Sequence, residues 1–189
     1  DLGVWITTRV CKDLAELKRA GIDLPKVAVN VSPRELTHGD AIVDGICGII
    51  ERYGLSTGCF QFEVTENALM NDQGSDVLDA FRTAGFSLAI DDFGSGYSSL
   101  GYLKRFRVST LKIDRQFVQN LPHDSDDAAI VSAVIQMSRA LGISVVAEGV
   151  ETEQQAGFLA EHGCDTLQGF LISRPIPPAE LIAFVHKQG

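Results

Sequence analysis

The sequence predicts an α/β fold in which parallel strands alternate with helices. Short apolar runs recur along the chain, each followed by an amphipathic stretch that ends at a glycine and a further apolar residue. Short apolar runs without alternation are typical of parallel strands that are covered on both faces. The repeated order of strand, helix and glycine stop therefore indicates an α/β protein built on a parallel sheet.

Six segments are predicted to be strands. The helices between them are predicted from apolar residues spaced three or four apart, from a capping box of Thr152 with Gln155, and from Pro178 in the first turn of the last helix. The predicted strands are Val27–Val31, Phe60–Thr65, Ser87–Ile90, Thr110–Ile113, Ser144–Ala147 and Thr166–Phe170. The glycine stops are Gly21, Gly54, Gly85, Gly142 and Gly163.

Four helical stripes are predicted to be buried, two of them formed by Ile42, Ile46, Ile49 and Ile50 and by Val77, Leu78 and Phe81. The first helix is expected to bury Val4, Ile6, Val10, Leu14 and Leu17. The long helix before Gly142 is expected to bury Ile130, Ala133, Val134, Met137 and Leu141.

Composition places residues 1–189 in one soluble globular domain, with 45% hydrophobic and 22% charged residues. A formal net charge of -9 argues against binding to a DNA or RNA backbone, which requires clustered Lys and Arg. It does not exclude a small anionic ligand held through metal ions.

The four cysteines are scattered, and we expect them to be reduced packing residues of a cytoplasmic segment. We expect no membrane contact by this segment, because no run of eighteen apolar residues occurs.

The most informative segment is the run from Asp91 to Leu100, Asp-Asp-Phe-Gly-Ser-Gly-Tyr-Ser-Ser-Leu. It follows a predicted strand and opens into small residues. Two adjacent carboxylates at a strand end suit a hard divalent cation such as Mg²⁺, Mn²⁺ or Ca²⁺. An ordinary turn is the alternative, since Asp and Gly are common turn residues.

Polar side chains stand at or just past the end of every predicted strand. Residues from different strands converge at this end of a β/α barrel, where the chemistry is done. Clustered carboxylates repel one another unless cations lie between them, so the cluster implies metal. Taken alone, Lys112 could be an interior lysine paired with Asp114 or Asp92, and Asp114 could be structural. The strand-end residues are Asn30, Glu63, Glu66, Asp91, Asp92, Lys112, Asp114, Glu148, Glu151 and Gln168.

Motifs along nearly the whole chain resemble the EAL domain, a family of bacterial cyclic di-GMP phosphodiesterases on a modified TIM barrel. The resemblance implies hydrolysis of cyclic di-GMP to linear pGpG with two Mg²⁺ or Mn²⁺ ions. The matching segments are Asn30-Val31-Ser32, Phe62–Glu66, Asp91–Leu100, Leu111–Asp114, Ala147–Thr152 and Gln168-Gly169.

The resemblance also implies roles for individual residues. Lys112 matches a lysine that contacts the attacking water, and Glu148 matches a glutamate assigned as general base or metal-site partner. Glu151 and Gln168 match further active-site positions, and Glu66 matches the anchor of the Asp91–Leu100 loop. The implied metal ligands are Asn30, Glu63, Asp91 and Asp92. The implied substrate-binding positions are Ser95, Arg174 and Pro175.

The count of six strands falls short of the eight in a closed barrel. No counterpart of the Glu-Ala-Leu signature segment is found. We therefore expect an N-terminally truncated EAL domain, an incomplete TIM-type barrel of about six parallel strands with weak activity of its own. Its open sheet edges are expected to promote homodimers or higher association. Upstream GGDEF, PAS or receiver domains are expected in the parent protein.

Three functions remain open on sequence alone. The first is metal-dependent hydrolysis of cyclic di-GMP. The second is a catalytically inactive EAL domain that senses cyclic di-GMP without cleaving it; against it, none of the visible carboxylates is replaced. The third is a regulatory surface that binds no nucleotide.

Overall fold

The computed structural model describes residues 2–38, 40–69, 75–94 and 100–188. Its six strands run parallel and alternate with helices, as predicted. The strands are β1 (Val27–Asn30), β2 (Phe60–Thr65), β3 (Ser87–Phe93), β4 (Thr110–Ile113), β5 (Ser144–Glu148) and β6 (Thr166–Gln168). Among the described residues, no helix combines the length and the apolar character needed to cross a bilayer.

The chain forms two compact units. The first comprises residues 1–63, 71–87 and 175–189. Its helices are α1 (Leu2–Arg19), α2 (Asp40–Arg52), α4 (Ser75–Thr83) and α9 (Pro178–Gln188). In this unit β1 pairs with β2, α1 packs against α2 and α9, and α2 packs against α4.

Three aromatic rings in the first unit, Phe62, Phe81 and Phe86, form what we call the aromatic cluster. The ring of Phe62 lies 4.6 Å from that of Phe81 and 4.9 Å from that of Phe86, between centroids. The rings are tilted or edge-on, which is the favourable arrangement for aromatic pairs. All three side chains are buried, so the cluster anchors the core of this unit.

The second unit comprises residues 64–70 and 88–174, and in it β3, β4, β5 and β6 pair in chain order. Apolar residues of β4 and β5 form one core with the inner faces of α7 and α8. The helices of this unit are α3 (Glu66–Leu69), α5 (Leu100–Phe106), α6 (Arg115–Val118), α7 (Ser125–Leu141) and α8 (Glu153–His162).

The predicted helix ends are confirmed. Gly142 and Gly163 adopt left-handed φ values of 70° and 84° and close α7 and α8. Thr152 and Gln155 form the predicted capping box at the start of α8, and Pro178 is the first residue of α9. Local sequence therefore determines these helix boundaries.

The predicted buried faces of two helices are partly wrong. In α7 the buried residues are Val131, Ile135 and Ser138, whereas Ile130 and Leu141 are 40% and 51% exposed. Both faces of this helix carry apolar residues, so spacing alone does not identify the inner one. In α1 the buried residues are Thr7, Cys11, Leu14 and Leu17, while Val4 is exposed.

Four strand ends also differ from prediction, two of them by a single residue: β1 ends at Asn30 instead of Val31, and β5 ends at Glu148 instead of Ala147. Strand β3 continues through Asp91 and Asp92 to Phe93 instead of ending at Ile90. Strand β6 ends at Gln168 instead of Phe170, because the chain turns there around Val150. The Val150 amide donates to the Gln168 carbonyl, and its own carbonyl accepts from Leu171.

Candidate functional site

A β-bulge places the two adjacent aspartates of β3. Ile90 pairs with Leu111 and Phe93 pairs with Ile113, so Asp91 and Asp92 lie opposite the single residue Lys112. Neighbouring side chains of a regular strand point to opposite faces. Here Asp92 takes a left-handed φ of 54°, which re-aims its side chain. The bulge allows both carboxylates to serve the same site.

Three carboxylates of the second unit meet there. Ligand oxygens of Asp91, Asp92 and Glu148 all lie within 4.8 Å of one another, and we call these residues the carboxylate cluster. Asp91 and Asp92 come from the end of β3, and Glu148 is the last residue of β5. The structure thus brings together residues that are more than fifty positions apart in the sequence.

Lys112 of β4 supplies a cation to this cluster. Its Nζ lies 2.9 Å from Asp91 Oδ1 and 2.7 Å from Glu148 Oε1. The lysine side chain is only 6% exposed, so it cannot turn out to solvent without leaving both carboxylates. Asp114 caps α6, where its Oδ1 accepts a hydrogen bond of 2.7 Å from the Gln116 amide.

The electrostatics of the cluster raise two carboxyl pKa values. For Asp92, burial raises the pKa above its ordinary value of 3.8, the charges of Asp91 and Asp114 raise it further, and Lys112 opposes them. For Glu148, burial raises the pKa above 4.5, and the hydrogen bond and charge of Lys112 only partly offset this. Three carboxylates against one ammonium leave a formal charge of -2 when all are ionised. One lysine therefore does not neutralise the site.

The residues fit a hard divalent cation. Asp91 Oδ1 is buried and lies 2.9 Å from the Lys112 ammonium, which it shares with Glu148. Carboxylates that share one ammonium in a partly buried site keep an excess of negative charge, which is costly unless a further cation completes their environment. All the donors are carboxylate oxygens, the ligand type preferred by Mg²⁺, Mn²⁺ and Ca²⁺. The cluster is therefore suited to hold such an ion.

Two further predicted metal ligands lie in the first unit. Asn30 ends β1 and is exposed, whereas Glu63 of β2 is buried. They are direct register partners in the β1–β2 pair, so their backbones are side by side. Their role as ligands stays a prediction.

A second group of predicted residues lines a cavity of about 190 Å³ next to the carboxylate cluster. Gln168 is the register partner of Glu148 in the β5–β6 pair. Glu151 Oε1 receives a hydrogen bond of 2.9 Å from Arg115 Nη2. The cavity is lined by Arg115, Glu148, Gly149, Glu151, Gln168, Gly169 and Phe170.

The remaining predicted residues are distributed as follows. Glu66 is buried and its Oε2 accepts a hydrogen bond of 3.1 Å from the Gly94 amide, at the start of the loop it was predicted to anchor. Arg174 places its guanidinium 4.4 Å from the centre of the Phe170 ring. Pro175 is exposed in the first unit, and Ser95 lies outside the described residues.

Sequence reasoning missed two contributors. Arg115 was not singled out, although it directly follows Asp114 and pairs with a predicted active-site glutamate. Gln155 was recognised only as half of a capping box. The local sequence does not predict the hydrogen bond of the Gln155 side chain to the carbonyl of Gln119, thirty-six residues away.

Residues 1–175 match the EAL domain family. The chain is 43% identical over 186 residues to the bifunctional diguanylate cyclase/cyclic di-GMP phosphodiesterase MucR of Pseudomonas aeruginosa, covering 97% of this chain and 27% of MucR. It is 44% identical over 184 residues to the cyclic di-GMP phosphodiesterase NbdA of the same organism, covering 96% of this chain and 23% of NbdA. The chain thus spans less than a third of the length of these curated relatives.

Solved structures give the same assignment. The PaMucR phosphodiesterase in complex with c-di-GMP has a TM-score of 0.89 at 43% identity, covering 95% of this chain and 73% of that one. A manganese and cy-diGMP complex of Klebsiella pneumoniae BlrP1 has a TM-score of 0.80 at 35% identity, covering 91% and 45%. This likeness confirms the predicted fold class, an incomplete α/β barrel with six parallel strands. The chain belongs to the EAL domain family.

Proposed function

We propose that this domain hydrolyses cyclic di-GMP to linear pGpG with the help of two divalent cations, Mg²⁺ or Mn²⁺. The observation that carries the proposal is the carboxylate cluster closed around the ammonium of Lys112. The names of MucR and NbdA describe phosphodiesterases of the same nucleotide, and the BlrP1 structure contains manganese with it.

Asp91, Asp92 and Glu148 are the residues that would hold the ions, together with Asn30 and Glu63 as the resemblance implies. When bound, such ions supply Lewis-acid polarisation of a phosphate oxygen and lower the pKa of a coordinated water. Their charge would also relieve the repulsion among the carboxylates, which a single lysine does not neutralise.

The reaction replaces one phosphorus–oxygen ester bond by a bond to the oxygen of water. One proton of the water is removed, and the departing ester oxygen gains a proton to become a hydroxyl. Lys112 can donate a hydrogen bond to the attacking oxygen and stabilise negative charge that develops at phosphorus. Glu148 would accept the proton, a role supported by its position in the carboxylate cluster beside Lys112. A role of Glu148 as a metal-site partner remains the alternative.

The cavity beside the cluster is proposed to receive part of the nucleotide. Glu151 and Gln168 offer polar groups on its wall, and Arg174 lies at its edge against Phe170. Arg174, Pro175 and Ser95 are proposed to contact the substrate. Glu66 is proposed to hold the start of the Asp91–Leu100 loop through Gly94.

Partners beyond the nucleotide are also proposals. The outer face of α7 exposes Ile130 and Leu141, which favours association with a second copy of the domain. The relatives are several times longer than this chain, which supports additional signalling domains such as GGDEF, PAS or receiver modules in the parent protein. We further propose that the domain acts in the cytoplasm.

The decisive test incubates the domain with cyclic di-GMP and Mn²⁺ or Mg²⁺, separates the nucleotides chromatographically and measures nucleotide binding in parallel. We expect pGpG from the wild type, its loss in Glu148→Gln, and its retention in the matched exposed control Glu153→Gln. Binding without product would replace the enzyme by a cyclic di-GMP sensor. If the domain neither binds cyclic di-GMP nor forms product, both functions are overturned.

A further inference from the structure

Lys112 lies in β4 and Glu148 is the last residue of β5, and the two side chains approach to 2.7 Å. The direct pairing of β4 with β5 extends as far as Ile113 and Ala147, so the chain beyond these residues depends on other contacts for its position. The segment after β4, which we call the β4 loop, runs through Asp114 into the single turn of α6 and ends at Gln119. The segment after Glu148, which we call the β5 loop, runs to Thr152, directly before α8.

The side chain of Gln155 connects the two loops. Its Oε1 accepts two hydrogen bonds from the β5 loop, from the amides of Glu151 at 2.7 Å and Thr152 at 3.0 Å. Its Nε2 donates a hydrogen bond of 3.1 Å to the carbonyl of Gln119 at the end of the β4 loop. One side chain therefore holds both loops, and its amide can satisfy these partners in only one orientation.

Burial favours this link over an ion pair that also joins the two loops. The ion pair of Arg115 with Glu151 also joins them, but its side chains are 59% and 41% exposed, so water screens it. Gln155 is only 4% exposed, and replacing it by an apolar residue would leave two amides and one carbonyl without its hydrogen bonds.

The β5 loop is also tied to the strand that bears Gln168. The amide of Val150 donates to the Gln168 carbonyl at 3.1 Å, and Leu171 donates to the Val150 carbonyl at 3.0 Å. A shift of this loop would therefore displace Glu148, Glu151 and Gln168 together. By fixing this loop, the hydrogen bonds of Gln155 influence the positions of all three of these polar residues, which line the cavity.

We propose that Gln155 is a positioning residue that holds the β5 loop, which follows directly on Glu148, against the β4 loop and thereby keeps Glu148 in place beside Lys112. Gln155 touches none of the carboxylate cluster and acts only through the backbone. The inference rests on the proposed function for its link to metal and nucleotide, but the position of the two loops can be tested without either.

Two substitutions separate the halves of the link. Gln155→Leu removes the acceptor and the donor. Gln155→Glu keeps an oxygen for the amides of Glu151 and Thr152 but sets a carboxylate oxygen against the Gln119 carbonyl, which breaks the connection to the β4 loop alone. Gln154→Leu is the matched control, because Gln154 is exposed on the same helix and its Oε1 lies 3.2 Å from Nε2 of His123, which is outside both loops.

The experiment measures Mn²⁺ affinity by electron paramagnetic resonance, the Lys112 ammonium signal by ¹⁵N NMR in metal-free protein, and folding by circular dichroism. We expect Mn²⁺ to bind about 10-fold more weakly to Gln155→Leu and about 3-fold more weakly to Gln155→Glu, as is usual when a group that orients a metal ligand is lost. We expect both variants to shift or broaden the Lys112 signal and Gln154→Leu to leave it unchanged.

A folded Gln155→Leu with wild-type Mn²⁺ affinity and an unchanged Lys112 signal would overturn the proposal. If Gln155→Leu does not fold, Gln155→Glu decides by the same criteria. If the wild type binds Mn²⁺ without cleaving cyclic di-GMP, the proposed function fails while the affinities still decide this inference. If the wild type binds no Mn²⁺, the Lys112 signal decides it.

Discussion

The aromatic cluster of the first unit and the carboxylate cluster of the second show two opposite uses of a protein interior. Phe62, Phe81 and Phe86 are buried and contact one another at favourable angles, so every ring is stabilised by its neighbours. Asp91, Asp92 and Glu148 instead place like charges within 4.8 Å. The first arrangement favours folding, and the second opposes it unless a cation is bound.

The comparison distinguishes residues that stabilise the fold from residues that serve metal binding and catalysis. Substitutions in the aromatic cluster should reduce the free energy of unfolding. Substitutions in the carboxylate cluster should remove metal binding and leave stability unchanged or higher, as happens when an active site is built at the expense of stability. The following predictions test this contrast from the largest expected effect to the smallest.

The largest effect is expected from Asp91→Asn. We expect it to lower the rate of cyclic di-GMP hydrolysis about 1,000-fold, equivalent to about 4 kcal/mol, because it removes a charge on which metal binding depends. The metal-free variant should unfold at the same temperature as the wild type or higher, since the substitution relieves repulsion. Rates and thermal unfolding of purified protein check both parts.

Asp126→Asn is the matched control, because Asp126 is an exposed residue in the first turn of α7. It should change neither the rate nor Mn²⁺ binding. Retention of wild-type hydrolysis by Asp91→Asn to within tenfold would contradict the assignment of Asp91 as a ligand.

Phe81→Ala is expected to give the second largest effect, on stability. The side chain is fully buried between two other rings, so truncation removes apolar contacts and leaves a cavity. Substitutions of this kind cost about 3–5 kcal/mol. Chemical unfolding should detect the loss, and Trp5→Ala serves as control because Trp5 is 64% exposed in the same unit. Equal losses for the two variants would show that the aromatic cluster does not anchor this core.

A smaller effect is expected at Gly149, in the loop that carries Glu148. Gly149 and Gly142 share a φ of +70°, but an added Cβ would meet nothing within 4 Å at Gly142 and would clash with Arg115 Cγ at Gly149. Both alanine variants are strained by the backbone, by about 1 kcal/mol. Gly149→Ala should therefore lose about 1 kcal/mol more than Gly142→Ala in chemical unfolding, through the clash with Arg115.

The combination Gly149→Ala with Arg115→Ala tests the cause of that difference. Removal of Arg115 Cγ should restore part of the lost stability, although Arg115 Cβ, 2.8 Å from the added atom, remains. Identical losses at Gly149 and Gly142 would mean that the loop shifts to accommodate the methyl group, and that its position is less constrained than the contact indicates.

The strands and their order followed from sequence because each is a short apolar run between turn signals. The strand-end rule likewise placed Lys112, Glu148 and Gln168 at or near one end of the sheet. Asp91 and Asp92 were predicted to lie with the other strand-end residues and do lie beside Glu148, but the reason given was incomplete. Their convergence depends on a bulge and on the left-handed φ of Asp92. The presence of two adjacent aspartates in the sequence predicts neither feature.

What sequence could not show depends on distant partners. The inner face of α7 was identified only in part: Val134 packs against the core, but Ile130 and Leu141 are exposed although they are as apolar as the buried Val131 and Ile135. Only the neighbouring core decides which face is covered. Arg115 shows the same limit, because its partner Glu151 is thirty-six residues away.

The smallest expected effect is a pH-dependent gain of stability in Glu148→Gln. Burial raises the pKa of the Glu148 carboxyl in the folded protein, so the folded state binds this proton more tightly than the unfolded state. The protonated carboxyl thus contributes stability that is fully present below its ordinary pKa of 4.5 and is lost as pH rises through the raised value. Glutamine resembles the protonated form, so the metal-free variant should unfold at a higher temperature than the wild type at pH 7.5. This advantage should shrink as the pH falls toward 4.5.

Addition of Mn²⁺ should reverse this order at pH 7.5. The ion stabilises whichever protein binds it, so it should raise the unfolding temperature of the wild type and leave Glu148→Gln nearly unchanged. Glu153→Gln should follow the wild type at every pH, because Glu153 is exposed. If metal-free Glu148→Gln is instead the less stable protein at pH 7.5, the ion pair with Lys112 outweighs burial. The carboxylate cluster would then stabilise the fold without metal, and its contrast with the aromatic cluster would fail at this residue.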